Sequence, residues 1–176
     1  MIRDRYLEDA LRELRKYKNL ADRAIAQVSD EQLFTALDGG GNPIATIMKH
    51  MAGNMRSRWT DFLTTDGEKP DRHRDTEFER GDLTVEELRR RWDAGWELTI
   101  DAIGELGWQD LERSVTIRDE PHNVIAAINR QLTHYAYHVG QIVLLAQQFA
   151  GDDWQWLSIP PGKSASATAA APPGRR

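Results

Sequence analysis

The chain has 176 residues, enough for one domain to bury a core without staples, and no cysteine, which excludes disulfides, thiolate metal sites and a cysteine nucleophile together. Its 28 acidic residues outnumber 23 lysines and arginines, and the net charge of −5 argues against a nucleic-acid partner, whose phosphates call for a basic face. No apolar run approaches the roughly 20 residues of a membrane span, and Met1-Ile-Arg-Asp-Arg-Tyr6 lacks the apolar segment of a secretory signal, so the expectation is a soluble cytoplasmic protein with no membrane partner.

The first periodic segment carries Leu7, Ala10, Leu11, Leu14, Ala21, Ile25 and Val28 among charged residues and predicts an amphipathic helix over residues 3–28. Ser29-Asp-Glu-Gln32 reads as a cap opening a short turn, with Gln32 at the third helical position. The break Asp38-Gly-Gly-Gly-Asn42-Pro43 then starts a second helix over 43–63, Asn42 capping and Pro43 in the first turn. Ile44, Ile47, Met48, Met51, Met55, Trp59 and Phe62 form its apolar side, and His50 lies within that stripe. Gly53, and later Gly140, cost a helix about 1 kcal/mol relative to Ala, which points to close approach of another helix.

Residues 65–82 form a long polar connection suited to a crossover, with His73 solvated among charges. Thr84 and Glu87 make a capping box and Leu83 can staple onto Leu88, opening a third helix that ends near Gly107. Trp92 and Trp96 on it read as core rather than as a stacking platform, since no basic groove accompanies them. Helical periodicity disappears between Trp108 and Glu120, where Ser114–Arg118 alternates like a short strand or extended link. Asp119-Glu-Pro121 restarts a helix, predicted over 121–150, with His122 at its surface end. Trp154 and Trp156 are expected to dock back onto the helices, and the Ala/Ser/Pro-rich residues 164–176 to form a disordered tail.

Four long helices with one crossover predict an all-α four-helix bundle, whose interior is a common place for metal sites. His134 and His138 stand four apart on one face, a spacing that suits a single ion. Stepping along that face leads to Ile142, Leu145 and Phe149 in one direction and to Ala127 and Val124 in the other, so the pair is expected on the core side. Unsatisfied buried imidazoles cost on the order of 1–3 kcal/mol per group, which a shared ion relieves. With His50 they make a candidate three-imidazole site that leaves coordination positions open. Asn54 and Gln141, each about one turn beyond a histidine, are candidates for orienting ligands or a bound water. A di-iron carboxylate site is excluded, because Ile47, Gln131 and Tyr135 occupy the places where its glutamates would stand. Tyr135 likewise breaks the His-Glu-x-x-His pattern, and no serine nucleophile elbow is present.

The runs Ile47-Met-Lys-His50-Met-Ala-Gly-Asn54, His134-Tyr-Ala-Tyr-His138-Val-Gly-Gln-Ile142 and Trp156-Leu-Ser-Ile-Pro-Pro-Gly-Lys-Ser164 resemble the DinB/YfiT-like superfamily, in a branch of unknown function. The resemblance covers roughly residues 3–163, within a bundle domain placed at 1–163. It implies an up-down-down-up, metal-binding bundle, often a homodimer, with His50, His134 and His138 at the ligand positions. Characterised members of that superfamily include transferases and isomerases that use a low-molecular-weight thiol such as bacillithiol or mycothiol.

Two readings of function follow. In the first, a divalent metal (Zn, Ni or Fe) held by the three histidines activates a small thiol or water against a small-molecule electrophile, as in an S-transferase, isomerase or hydrolase. In the second, the bundle is non-catalytic and its metal is structural or absent. An open channel to the histidines favours chemistry, and a site sealed by Trp59, Trp92 or Trp96 favours structure.

Overall fold

The periodic apolar positions of the N-terminal segment are realised as α1, Ile2–Ile25, in this computed structural model, which describes residues 2–79 and 81–164. The expected tail beyond Ser164 lies outside the described residues. Helix α2, Asp30–Leu33, opens on the predicted reciprocal cap: Ser29 Oγ accepts from the Gln32 amide at 3.2 Å and Gln32 Oε1 accepts from the Ser29 amide at 2.8 Å. The chain is mostly helical, with α3 at Ile44–Trp59, α4 at Val85–Gly104 and α5 at Val124–Ala150 as its other long elements.

Helix α3 is shorter at both ends than the sequence predicts. Pro43 rather than Asn42 occupies the cap position, and no side chain bonds the first turn. At the other end Thr60 turns extended (ψ 124) and Asp61 enters the left-handed region (φ 49), so Phe62 reaches the core from a loop. For α4 the Thr84 hydroxyl accepts from the Glu87 amide at 3.2 Å, but the Glu87 carboxylate turns to Arg90 and Arg91 instead of completing the box. This helix closes at Gly104, short of Gly107.

The clearest departure precedes α5. Residues 119–123 do not open the helix: Ser114–Ile117 (β1) pairs antiparallel with Glu120–Asn123 (β2), with Thr116 opposite Pro121. Val115 and Ile117 point one way into the core, while β2 stays largely exposed, a position where proline is tolerated because an edge needs no donor there. Asn123 then caps α5, its Oδ1 accepting from the Ala126 amide at 2.7 Å. His122 consequently sits on β2, opposite Val115, and not in a helix.

Helix α1 packs on α4 and α5, and α3 packs on the same two, around a core that includes Leu14, Met51, Met55, Trp59, Trp92, Trp96 and Tyr135. The tryptophans of α4 are core residues, with their rings 5.6 Å apart. The tight approach of α3 to α4 occurs at Gly95, where a Cβ would stand 3.3 Å from the Ala52 backbone. Gly140 faces open space, contrary to expectation, and Gly53 is approached by the side chain of Glu77 rather than by a helix. Trp154 packs against the core, whereas Trp156 remains 47% exposed. Among the described residues, no helix is long and apolar enough to cross a membrane.

Candidate metal centre

On α5 the buried seam runs through Ala127, Ile128, Gln131, Tyr135, Val139, Ile142 and Ala146. His134 and His138 therefore flank the core instead of lying on its central line, and Leu145 and Phe149 are likewise only half-buried. Val124, Ala127 and Ile142 are common to the expected and the observed seam, so the offset is about half a residue, roughly 50° of helix rotation, and it leaves both imidazoles on the side that faces His50 of α3. There they meet His50, which is buried.

Three Nε2 atoms converge. His134 Nε2 lies 3.1 Å from His138 Nε2 and 3.4 Å from His50 Nε2, close to the roughly 3.3 Å separating neighbouring nitrogens around a tetrahedral ion. The three ligand atoms all lie within 4.8 Å of one another, so the cluster can hold a metal ion. The far sides of two rings are engaged by oxygen: His50 Nδ1 is 2.8 Å from Glu77 Oε2, and His138 Nδ1 is 2.8 Å from Gln141 Oε1. An acceptor at Nδ1 keeps the proton there and leaves the Nε2 lone pair facing the cluster. His134 Nδ1 is buried with no partner.

Electrostatics favour the ligating form. Burial, then the neighbouring His138 and His50, then Arg72 and Arg58, push His134 down to about 3. His138 is also lowered, by burial foremost and by His50, against the opposing hydrogen bond to Gln141. Burial resists ionisation of Glu77, but hydrogen bonds with His50 and Arg72 outweigh it and hold the carboxyl below its ordinary range. The Arg72 guanidinium grips that carboxylate with two bonds, Nε to Oε1 and Nη2 to Oε2, each 2.9 Å.

Glu77 and Arg72 belong to the segment that the sequence presents as a solvated connection. Glu77 sits in a 3₁₀ turn, Arg74–Phe78, packed against α3, and it is buried. One sequence signal pointed to it: Gly53, where any Cβ would collide with the Glu77 carboxylate. His73 beside it is exposed, as expected. Asn54 does not orient a histidine; its Oδ1 accepts from the Tyr135 hydroxyl at 3.2 Å, and that hydroxyl accepts from Trp59 Nε1 at 3.0 Å. Gln141 does engage His138, as its spacing allowed.

A cavity of about 360 Å³ opens beside the cluster, with His50, His134, Asn54 and Tyr137 in its wall. Trp59, Trp92 and Trp96 take no part in that wall. The arrangement offers three converging imidazole nitrogens, two of the rings held from behind by oxygen, and a cavity in front. Among curated proteins, none matches the chain. A family model described as "Protein of unknown function (DUF1572)" matches residues 1–163, and the chain thus belongs to that family.

Proposed function

We propose that the protein is a mononuclear metal-dependent enzyme built on a DinB-like, up-down-down-up four-helix bundle, activating a small thiol or water toward a small electrophile. The observation that carries this reading is the cavity that reaches His50 and His134 without a tryptophan across it. A structural tie between α3 and α5 has no use for such an opening, whereas a substrate requires it.

A divalent ion bound by His50, His134 and His138 supplies Lewis acidity to a thiol or water, and zinc, nickel and ferrous iron all accept imidazole donors. The chain's own part is preorganisation. Glu77 accepts a hydrogen bond from His50 Nδ1–H, Gln141 Oε1 accepts one from His138 Nδ1–H, and Arg72 holds the Glu77 carboxylate in place. Tyr135, fully buried and clasped between Trp59 and Asn54, packs beside the His134 ring, the two centroids 5.6 Å apart. The reading includes a cytoplasmic location and a homodimer, the second of which sedimentation of the purified chain tests directly.

Metal analysis of untagged protein, alongside His134→Ala and a His50→Ala, His138→Ala double variant, is the first experiment. One ion per chain, lost in both variants, together with metal-dependent addition of a thiol to members of an electrophile panel, is the expected result. Protein refilled with zinc, nickel or iron that turns over no thiol, water or electrophile combination would sink the enzymatic reading and leave the non-catalytic one.

A further inference from the structure

The cavity wall carries a charge at odds with the chain. In a protein of net charge −5, five arginines, Arg58, Arg72, Arg74, Arg118 and Arg130, line it, and no carboxylate does among the described residues. They come from α3, from the segment before α4, from the β1–β2 turn and from α5, so no single solvated helix face accounts for them.

Their neutralisation is incomplete. Glu68 Oε2 is shared among three guanidiniums, at 3.2 Å from Arg72 Nη1, 3.2 Å from Arg118 Nε and 3.8 Å from Arg58 Nη2. Glu77 is taken by Arg72 and His50. Arg74 lies over the Phe78 ring, 5.0 Å from its centroid, and 3.6 Å from the exposed Asp75. Arg58 is the telling residue, because its side chain is 3% exposed and its Nε and Nη1 have no hydrogen-bond partner. A guanidinium so buried without an acceptor is costly, and Gly67 makes room for it, since a Cβ there would stand 2.5 Å from Nη1. Burial, outweighing the help of Tyr135 and Glu68, lowers the Arg58 pKa, and the charges of Arg130 and Arg72 push the same way. An anion in the cavity offsets the mutual repulsion of these guanidiniums.

We propose that this cavity takes a small molecule bearing an oxyanion, a carboxylate or phosphate, held by Arg58 and Arg130 with its remaining part directed at the three histidine nitrogens. The assignment rests on reading the cavity as the substrate site and names the substrate class for it. Arginine forks match planar oxyanions with paired bonds, and the low local dielectric strengthens them. Arg72, Arg118 and Arg74 set the surrounding positive field, while their own carboxylate partners keep them in place.

The test is calorimetric titration of the protein, as purified and after chelation, with inorganic phosphate, with succinate and with neutral succinamide. One saturable site for phosphate, succinate or both, weakening as salt is raised and absent for succinamide, is expected; which anion binds tells the two sources apart. Arg130→Ala, an exposed position that leaves folding intact, should weaken binding at least tenfold, as should Arg58→Gln where it folds. Arg89→Ala, on α4 outside the cavity, should leave it unchanged. Absence of saturable binding to both anions, or binding unchanged in Arg130→Ala, would overturn the proposal. Because binding is read in chelated protein and without turnover, a failed thiol assay with intact anion binding counts against the enzymatic reading alone.

Discussion

Helices α3 and α5 place their histidines by periodicity, whereas the segment between Thr60 and Glu79 places Glu77 and Arg72 by individual hydrogen bonds. On α3, Ser57 Oγ donates to the Gly67 carbonyl at 3.0 Å and accepts from the Lys69 amide at 2.8 Å, while Lys49 Nζ donates to the Thr76 and Glu79 carbonyls at 2.6 and 2.9 Å. The segment is therefore fastened at several points along one helix face. The difference teaches a division of labour: packed helices set where ligand nitrogens lie, and the fastened segment sets the proton position of His50 and the local charge. Each half can be broken separately.

The largest effect should come from the helical half. His138→Ala removes one of three converging nitrogens, and stoichiometric zinc should be lost on dialysis, read by elemental analysis. The metal-free variant should melt close to metal-free wild type, because this ring lies at the edge of the core, half-buried. A large drop in the metal-free melting temperature would show that the histidine serves packing instead.

Breaking the other half should weaken metal binding without abolishing it. Glu77→Gln removes the charge behind His50, and loss of such an outer partner costs about 10–100-fold in affinity. Gly53→Ala sharpens the comparison, since alanine normally stabilises a helix by about 1 kcal/mol over glycine, yet here its Cβ must displace the Glu77 carboxylate. It should therefore reproduce the Glu77→Gln affinity loss, measured by competition with a zinc chelator. Unaltered affinity in both variants would detach the segment from the metal site.

Tyr135→Phe tests the reverse separation. It leaves Trp59 Nε1 and Asn54 Oδ1 buried without partners, at a cost of about 1–3 kcal/mol in chemical denaturation, while zinc affinity stays put. A matching loss of zinc affinity would show that the Trp59–Tyr135–Asn54 chain and the ligands act as one unit.

The same division explains what could be read from the sequence. The four long helices and the histidines were legible because the 3.6-residue period and an i, i+4 pair are local patterns. Glu77 was not, because it reaches His50 across 27 residues of chain that carry no period and whose polar composition reads as solvated. The hairpin was missed for another reason. Its turn, Arg118-Asp119, lacks the glycine or asparagine that left-handed turn residues favour (φ 56 and 61), and Glu120-Pro121 imitates a helix start. The half-residue rotation of α5 is not legible either, because Leu145 and Phe149 mark the edge of the stripe as well as its centre.

That unusual turn supplies the smallest prediction. Asp66 accepts from the backbone amides of Arg118 and Asp119 at 3.0 Å each and of Glu68 at 2.6 Å, tying the fastened segment to the hairpin. Burial works against its ionisation, but the three amides prevail and lower its pKa below the ordinary carboxylate value. A group depressed in the folded state stabilises at pH above its unfolded pKa, about 3.9, and that contribution fades as pH falls through the folded value. Asp66→Asn should therefore cost about 1 kcal/mol at pH 7, since the side chain loses its charge and keeps one accepting oxygen where the carboxylate uses two. Urea midpoints for the pair, compared at pH 7 and then stepwise below pH 4, should converge as the wild-type carboxyl is protonated. A gap that persists unchanged to the acid side would mean that Asp66 holds the turn by shape rather than by charge, and that the hairpin needs no ionised partner to keep Arg118 at the cavity wall.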